Sequence, residues 1–171
     1  MIRNHRKSGF TLLEFLLYIA IASITIAVIS VYLSQILVFR AKSQTIAEVE
    51  QEGTMVMQNI TQAIHNSNSI NSPAVGSSAA SLSLAMSDVN KNPTVYDLSS
   101  GVVRIKEGSA ATVNLTASSR VTVSNLSFQN LSKSSTPGII RIQFTVTHIN
   151  PGNRNEFNYA QNFYGSATIK K

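Results

Sequence analysis

A run of 25 consecutive residues without a charged side chain, residues 15–39, constrains the fold of this chain more than any other feature. As a helix this run would rise about 37 Å, whereas the hydrocarbon core of a bilayer is about 30 Å thick. No proline or glycine interrupts the chain between Phe10 and Glu52. The sequence therefore predicts a membrane-spanning helix, and it places a carboxylate, Glu14, directly before the charge-free run.

Basic residues precede this apolar run and predict its orientation. Arg3, Arg6 and Lys7 lie on its N-terminal side, and positive charge is retained on the cytoplasmic side of a membrane. We therefore expect a single pass through the cytoplasmic membrane with the C-terminal bulk of the chain outside the cytoplasm. The formal net charge is +6, but without residues 1–9 it falls to +3, so charge alone does not indicate nucleic-acid binding. With no cysteine, the outer domain relies on its core rather than on disulfides.

Beyond residue 39 the helical pattern becomes amphipathic. Apolar or small residues recur at spacings of three and four, which is typical of a helix with one buried face. Acidic side chains such as Glu48 and Glu52 lie mostly on the other faces. The pattern predicts one helix over residues 10–65, with Gly53 as its weak point because glycine costs about 1 kcal/mol in a helix interior. The apolar stripe consists of Phe39, Ile46, Val49, Gly53, Val56, Ile60 and Ala63.

The rest of the chain predicts β-structure. Residues 66–80 are small and polar and predict a loop. Segments of alternating polarity follow, joined by turn-like dipeptides that favour antiparallel pairing, and a change of phase predicts a bulge near Asn125. The predicted strands are residues 81–86, 95–98, 102–107, 111–117, 121–131 and 139–149, with a last one within 157–170. In 139–149 one face holds Ile140, Ile142, Phe144 and Val146. The expected class is α+β, with a long N-terminal helix, transmembrane and then amphipathic, packed on an antiparallel β-sheet head.

The stretch KSGFTLLEFLLYIAIAS, which begins at Lys7, resembles the N-terminus of type IV prepilins and type II secretion pseudopilins. Those proteins combine a basic leader, a glycine, the sequence Phe-Thr-Leu-Ile-Glu and an apolar helix. The resemblance covers residues 3–30 and implies a pilin-like fold. It also implies that the prepilin peptidase, a membrane aspartyl protease, cuts between Gly9 and Phe10 and then N-methylates Phe10. Leu13 stands where the family usually has isoleucine.

On this resemblance the chain divides into a cleaved leader (1–9), a transmembrane and assembly helix (10–39), an amphipathic continuation (40–65) and a β-rich head (66–171). Glu14 corresponds to the family's hallmark acid. Its implied role is to neutralise the terminal amino group of a neighbouring subunit, because two charges that are each costly in lipid become tolerable as a pair. In the alternative interpretation, the Glu14 side chain lies in the headgroups and favours the helix N-terminus electrostatically.

The resemblance implies a structural function rather than an enzymatic one. Segments 102–107, 121–131 and 139–149 resemble minor subunits of the W-type pilin or J-type pseudopilin class, which help to initiate or cap a filament. The implied partners are the prepilin peptidase, other major and minor pilin or pseudopilin subunits, and the assembly platform of the cytoplasmic membrane. The alternatives are a signal-anchored extracytoplasmic binding protein, and a tip adhesin or DNA-uptake subunit of a competence system. The sequence does not distinguish a pilus from a secretion or competence system.

No residue pattern predicts a cofactor, a metal ion or an active site. His5, His65 and His148 lack the spacing of a zinc site, and His148 is expected to be a satisfied, partly buried imidazole. The sequence contains no nucleophile elbow, calcium loop or glycine-rich phosphate loop. An enzyme is therefore not expected.

Two further groups of side chains admit a functional and an ordinary interpretation. Basic residues on the predicted strands would form a mildly basic face if they shared one side of the sheet. Ordinary solvation is the favoured interpretation and nucleic-acid contact the alternative. These residues are Arg104, Lys106, Arg120 and Arg141. The C-terminal aromatics are predicted to pack in the core or on an edge strand rather than to form a stacking platform. They are Phe157, Tyr159, Phe163 and Tyr164.

Overall fold

The computed structural model describes residues 11–117, 119–133 and 137–170. The chain divides into two structural units, residues 1–40 and 41–171. Helix α1 spans Leu12–His65, and short 3-10 turns lie at Val89–Lys91 and Asn155–Phe157. The strands of the described residues are β1 (Ser67–Ser72), β2 (Ser78–Ala79), β3 (Leu82–Met86), β4 (Thr94–Ser99), β5 (Val102–Glu107), β6 (Val113–Asn114), β7 (Val121–Asn130), β8 (Ile139–His148) and β9 (Ala160–Thr168).

The predicted long helix is confirmed, with α1 beginning at Leu12 and ending at His65. Carbonyl groups at the C-terminal end of α1 have hydrogen-bond partners outside the helix. The Ser67 hydroxyl donates to the Ile64 carbonyl over 2.8 Å. The Lys170 amide donates to the His65 carbonyl over 3.2 Å. These bonds supply partners for carbonyls of the last turn, which have none within a helix.

The α+β, pilin-like architecture is confirmed, but the head holds two antiparallel sheets where one was expected. The five-stranded sheet has the order β1-β3-β4-β5-β6, and the four-stranded sheet has the order β2-β7-β8-β9. The chain enters the four-stranded sheet at β2, returns to the five-stranded sheet at β3, and changes sheet again after β6. Alternation along a strand reveals its buried face but not the sheet that it joins, so this division was not visible in the sequence.

The loop predicted over residues 66–80 is wrong, because this segment contains β1 and β2. Ile70 lies opposite Leu84 of β3, and Ala79 lies opposite Phe128 of β7. Serine and asparagine are poor strand formers, but pairing with a distant strand overrides that preference. Local composition therefore led to a loop being predicted where the first two strands of the head lie.

The strand predicted over residues 111–117 is also largely wrong. Only Val113–Asn114 pair with β5, and the Val113 side chain is 58% exposed. On the apolar face that the alternation predicted, Leu115 packs against the core, whereas Val113 does not. The other predicted strands are confirmed, and β5 matches its predicted bounds at both ends.

One stripe of α1 packs on the inner faces of the sheets. The stripe is confirmed at Val49, Gly53, Val56 and Ile60, whereas Phe39 is 70% exposed. The alternation predicted for β8 is confirmed as well. The sheet side chains that are almost wholly buried include Leu82, Leu84, Tyr96, Val103, Phe128, Ile140, Ile142, Phe144 and Val146. The head therefore has one continuous apolar core.

Gly53 marks a close contact between the helix and β9 rather than a weak point of the helix. A Cβ atom at Gly53 would overlap the ring of Phe163. The Phe163 ring stacks on Phe144 with centroids 5.2 Å apart, so it has little freedom to move away. The loss of helix propensity at Gly53 is thus offset by packing that only glycine permits.

The predicted bulge near Asn125 is confirmed. The pairing of β7 with β8 shifts register between Ser124 and Ser127, and Asn125 has a φ of 55°. Asparagine tolerates this left-handed conformation better than most residues do. The bulge explains why the apolar alternation of β7 changes phase at this point.

Candidate functional site

The candidate site is the start of helix α1, where Thr11 caps the first turn. The Thr11 hydroxyl oxygen accepts a hydrogen bond from the Glu14 amide over 3.3 Å. Its carbonyl oxygen accepts one from the Phe15 amide over 3.1 Å. Threonine followed three residues later by glutamate is the sequence of a capping box, in which the threonine satisfies a free amide of the first turn. The sequence analysis missed this signal, which explains why the helix begins at Leu12.

The Glu14 carboxylate lies in this first turn among exposed apolar side chains. The glutamate itself is half-buried, whereas Leu12, Leu13 and Phe15 are 59–80% exposed. Among the described residues no basic side chain forms an ion pair with Glu14. The helix N-terminus favours a negative charge by about 0.3–1 kcal/mol. That is less than the roughly 2.5–3.5 kcal/mol cost of an acidic residue at mid-membrane, so a carboxylate drawn into lipid needs a further partner.

The apolar stretch of α1 that follows Glu14 is long and apolar enough to cross a membrane. Its serine and threonine hydroxyls do not present free donors to an apolar environment. Each donates to a backbone carbonyl of the preceding turn at 2.8–3.0 Å, and these residues are Ser23, Thr25, Ser30 and Ser34. Because these donors already have acceptors, the desolvation cost of the hydroxyls is reduced.

Glu14, the capped turn and the apolar stretch form one continuous segment. Residues 4–30 match the prokaryotic N-terminal methylation motif. This motif supports a protein of pilin or pseudopilin type and implies processing by prepilin peptidase and assembly with other subunits. No curated protein and no solved structure gives a significant match. The motif ends at residue 30, so the head is interpreted from its structure alone.

Two predicted site residues, Gly9 and Phe10, lie outside the described residues. Glu14 lies within them, at the third position of the helix. The geometry of the predicted cleavage and methylation site therefore stays a prediction. The structure does describe the residues that follow the predicted cleavage site, where Thr11 caps the helix turn that contains Glu14.

The four basic residues considered as a possible basic face of the head are divided between the two sheets, which weighs against the nucleic-acid alternative. Arg104 lies on β5, Arg141 lies on β8 of the other sheet, and Arg120 precedes β7. Arg104 donates two hydrogen bonds to the Asp97 carboxylate, over 2.8 and 2.7 Å. Arg120 forms an ion pair with Glu48. Carboxylates of the head thus neutralise two of the four charges.

A polar cluster around Glu48 was missed by the sequence analysis, which placed this residue on an outer face. The Glu48 carboxylate accepts from Gln44 over 3.1 Å, pairs with Arg120, and lies 3.4 Å from Nε2 of His148. The His148 ring is partly buried, as expected, and it stacks on Phe157. The expectation that the imidazole is fully satisfied is wrong, because its buried Nδ1 has no hydrogen-bond partner among the described residues. The cluster fixes α1 to the segments before β7 and at the end of β8. Its members are far apart in sequence, so no local pattern predicts it.

Within the part of the chain that the structure describes, no group of three or more carboxylate or imidazole side chains is placed to hold a metal ion. The C-terminal aromatics differ in their surroundings. Phe163 packs against the helix and Phe144, and Phe157 stacks on His148. Tyr164 is 66% exposed on β9.

Proposed function

We propose that the chain is a minor pilin or pseudopilin that helps to initiate or cap a type IV pilus or a type II secretion-like filament. The observation that carries this proposal is the methylation motif at residues 4–30. It is continuous with a helix whose large apolar side chains from Leu12 to Phe39, except Ile36, are 47–80% exposed. A surface of this kind is normally covered by lipid or by other helices. The precursor is inserted in the cytoplasmic membrane with its head outside, and the assembled subunit is covered by neighbouring helices.

Processing would prepare the N-terminus for assembly. Prepilin peptidase cuts between Gly9 and Phe10, and the new amino group of Phe10 is methylated. The amine and the Glu14 carboxylate are each costly in lipid, and a neighbouring subunit supplies each with a partner of opposite charge. In this proposal Glu14 of an incoming subunit pairs with the amino group of Phe10 on its neighbour. The pairing favours assembly and fixes the axial register of the subunits.

The first experiment is the mass of the N-terminal peptide from protein recovered from its native membrane or from sheared filaments. We expect a peptide that starts at Phe10 and carries one added methyl group. A peptide that starts at Met1 would contradict processing and leave a membrane-anchored protein as the remaining interpretation. The same sample gives the copy number relative to the major subunit, which is low for a minor subunit and comparable for a shaft subunit.

The role of Glu14 is tested by variants that separate charge from shape. Glu14→Gln keeps the side-chain length but removes the charge, Glu14→Leu also removes the polar atoms, and Glu14→Asp retains the charge as a matched control. We expect the Gln and Leu variants to insert in the membrane normally but to enter filaments about tenfold less, since each leaves the partner amine unpaired in lipid. Normal incorporation of Glu14→Gln would show that the carboxylate serves the first turn or the headgroups instead.

Deletion of the subunit distinguishes initiation from a function at the tip. Loss of filaments or of secretion is expected for a subunit that initiates assembly. Intact filaments with lost attachment or DNA uptake would support the adhesin or competence alternative.

A further inference from the structure

The open edges of the two sheets differ in how well they are protected from pairing with another chain. In natural proteins, very short strands, bulges, prolines or charged side chains prevent an edge strand from pairing with another chain. Strands β2 and β6 are only two residues long. Strand β1 has register shifts at two places in its pairing with β3. Strand β9 has none of these protective features. It is nine residues long, pairs with β8 without a register shift, and contains no proline and no charged side chain.

The pairing of β9 with β8 shows which of its backbone groups face outward. The His148 amide donates to the Tyr159 carbonyl, and the Ile169 amide donates to the Gly138 carbonyl. Hydrogen-bonded and non-hydrogen-bonded pairs alternate along an antiparallel ladder. The odd-numbered residues of β9 therefore bond to β8, and the even-numbered ones direct their N–H and C=O groups to the open edge. The even-numbered residues are Ala160, Asn162, Tyr164, Ser166 and Thr168.

This row of backbone groups has no partner among the described residues of the head. Among the described residues, no hydrogen bond from another element reaches the backbone of 160–168 on the open side. The inner face of β9 is fixed by α1 through Phe163 and Gly165, which contact Gly53 and Met57. The inner face of the strand is therefore covered by the helix, and the 66% exposed ring of Tyr164 lies at the centre of the strand.

We infer that the open edge of β9 binds an extended, largely uncharged segment of another filament subunit as an added strand of the four-stranded sheet. This inference rests on the proposed function. The added strand would satisfy the five outward N–H and C=O pairs, which is the mode of recognition called β-augmentation. Because β9 carries no charged side chain, it offers no partner for a charge on the added strand, so we expect the added strand to be uncharged where it lies opposite β9. The Tyr164 ring would contact side chains of the added strand.

The direction of α1 argues against two copies of this chain that pair antiparallel through β9. Helix α1 and β9 run in the same direction, because Lys42 donates to the Asn158 carbonyl at one end and Lys170 donates to the His65 carbonyl at the other. A two-fold axis perpendicular to paired β9 strands would therefore make the two helices antiparallel. Their Ala41 ends, where the apolar segments begin, would lie at opposite ends of the dimer.

The test uses the full chain in filaments of its own host. A photo-crosslinking phenylalanine analogue is incorporated in place of Tyr164, and in place of Val89 as a control at another exposed position, 85% exposed. Adducts are identified as cross-linked peptides by mass spectrometry. We expect an adduct from position 164 with an extended segment of a different subunit, and no such adduct from position 89.

A second pair of variants tests whether the backbone edge is responsible. Ser166→Pro removes an outward N–H without removing a bond to β8, and Ser166→Thr keeps it. We expect Ser166→Pro to lower the adduct yield by about tenfold, because its ring obstructs an added strand, and Ser166→Thr to leave it unchanged. No adduct, an adduct between copies of this chain alone, or a yield that survives Ser166→Pro would overturn the inference.

If Ser166→Pro does not fold, amide hydrogen exchange in the unmodified chain tests the added strand instead. The five even-numbered amides of β9 should exchange about tenfold or more slowly in filaments than in detergent, whereas the odd-numbered ones are protected in both. Equal exchange of the even-numbered amides would contradict the added strand. The N-terminal peptide of the same sample separates the two proposals. A processed N-terminus with an unprotected edge overturns only the inference, and an N-terminus at Met1 overturns the proposed function.

Discussion

The two stretches of helix α1 on either side of Arg40 differ in what covers their apolar side chains. In residues 41–65, Val49, Val56, Ile60 and Ile64 have no exposed surface, because the sheets of the head cover them. In residues 12–40, large apolar side chains point in all directions around the helix, and all of them except Ile36 are exposed by about half or more. Both stretches are α-helical and free of proline.

This difference shows that the two stretches are suited to different surroundings. A helix that is apolar on one stripe is stabilised by one partner surface, which the chain itself provides for residues 41–65. A helix that is apolar all round requires an apolar environment on every side, either lipid or a set of other helices. Equivalent substitutions should therefore change the stability of the head when they fall in one stretch and leave it unchanged in the other.

The largest expected effect is that of Ile60→Ala, compared with Ile26→Ala. Ile60 is fully buried and Ile26 is 64% exposed. We expect Ile60→Ala to lower the free energy of unfolding of the head by about 2–5 kcal/mol, through lost transfer energy and a cavity. Ile26→Ala should change it by less than about 0.5 kcal/mol. Denaturant unfolding of the full chain in detergent micelles measures both. Equal effects of the two variants would contradict the division of the helix into two stretches.

The next effect concerns the close contact at Gly53. Gly53→Val places two methyl groups where the Phe163 ring lies, and overpacking of this kind typically costs about 1–3 kcal/mol. The double variant Gly53→Val with Phe163→Leu tests the cause, since a smaller partner should return part of the loss. The free energies of unfolding of the four proteins form a double-mutant cycle. Additive losses would show that the contact with Phe163 is not the source of the cost.

The sequence predicted the elements whose signals are local. The apolar run, the stripe from Val49 to Ile60, the alternation of β8 and the bulge at Asn125 all depend on residues within a few positions of one another, and all are confirmed. The division into two sheets and the strand β1 depend on pairing across the chain, for which composition gives no signal. Gly53 was misinterpreted for the same reason, because its partner Phe163 lies 110 positions further on.

The sequence predicted only part of the polar contacts discussed with the candidate site. Glu14 stood out because a carboxylate next to a charge-free run is costly in lipid. The Thr11 cap was equally local and was missed, although a threonine three residues before a glutamate would have indicated it. The cluster of Glu48, Arg120 and His148 joins residues on three separate segments, so only the structure reveals it.

The smallest effect is expected at Tyr96, where the buried stretch of α1 makes a polar contact with a strand. The Tyr96 hydroxyl donates to the Asn59 side-chain oxygen over 2.9 Å, and the residue is 1% exposed. Burial, and secondarily the Glu107 carboxylate, raises the pKa of Tyr96 well above its usual value. At neutral pH, Tyr96→Phe should lower the free energy of unfolding by about 0.5–1.5 kcal/mol, the net value of one hydrogen bond.

The raised pKa gives this last prediction a pH dependence with a definite sign. Below about pH 10, Tyr96 keeps its proton in both the folded and the unfolded chain, so its contribution is constant. Above about pH 10 the unfolded chain loses this proton and the folded chain retains it, which stabilises the unfolded state. The advantage of the wild type over Tyr96→Phe should therefore shrink by about 1.4 kcal/mol per pH unit above that point. Tyr164→Phe is the matched control at an exposed position and should change the free energy of unfolding by less than about 0.5 kcal/mol. An advantage that stays constant from pH 8 to pH 11 would mean that Tyr96 ionises as readily in the folded chain as in the unfolded one, and that the contact between the helix and this strand is open to water.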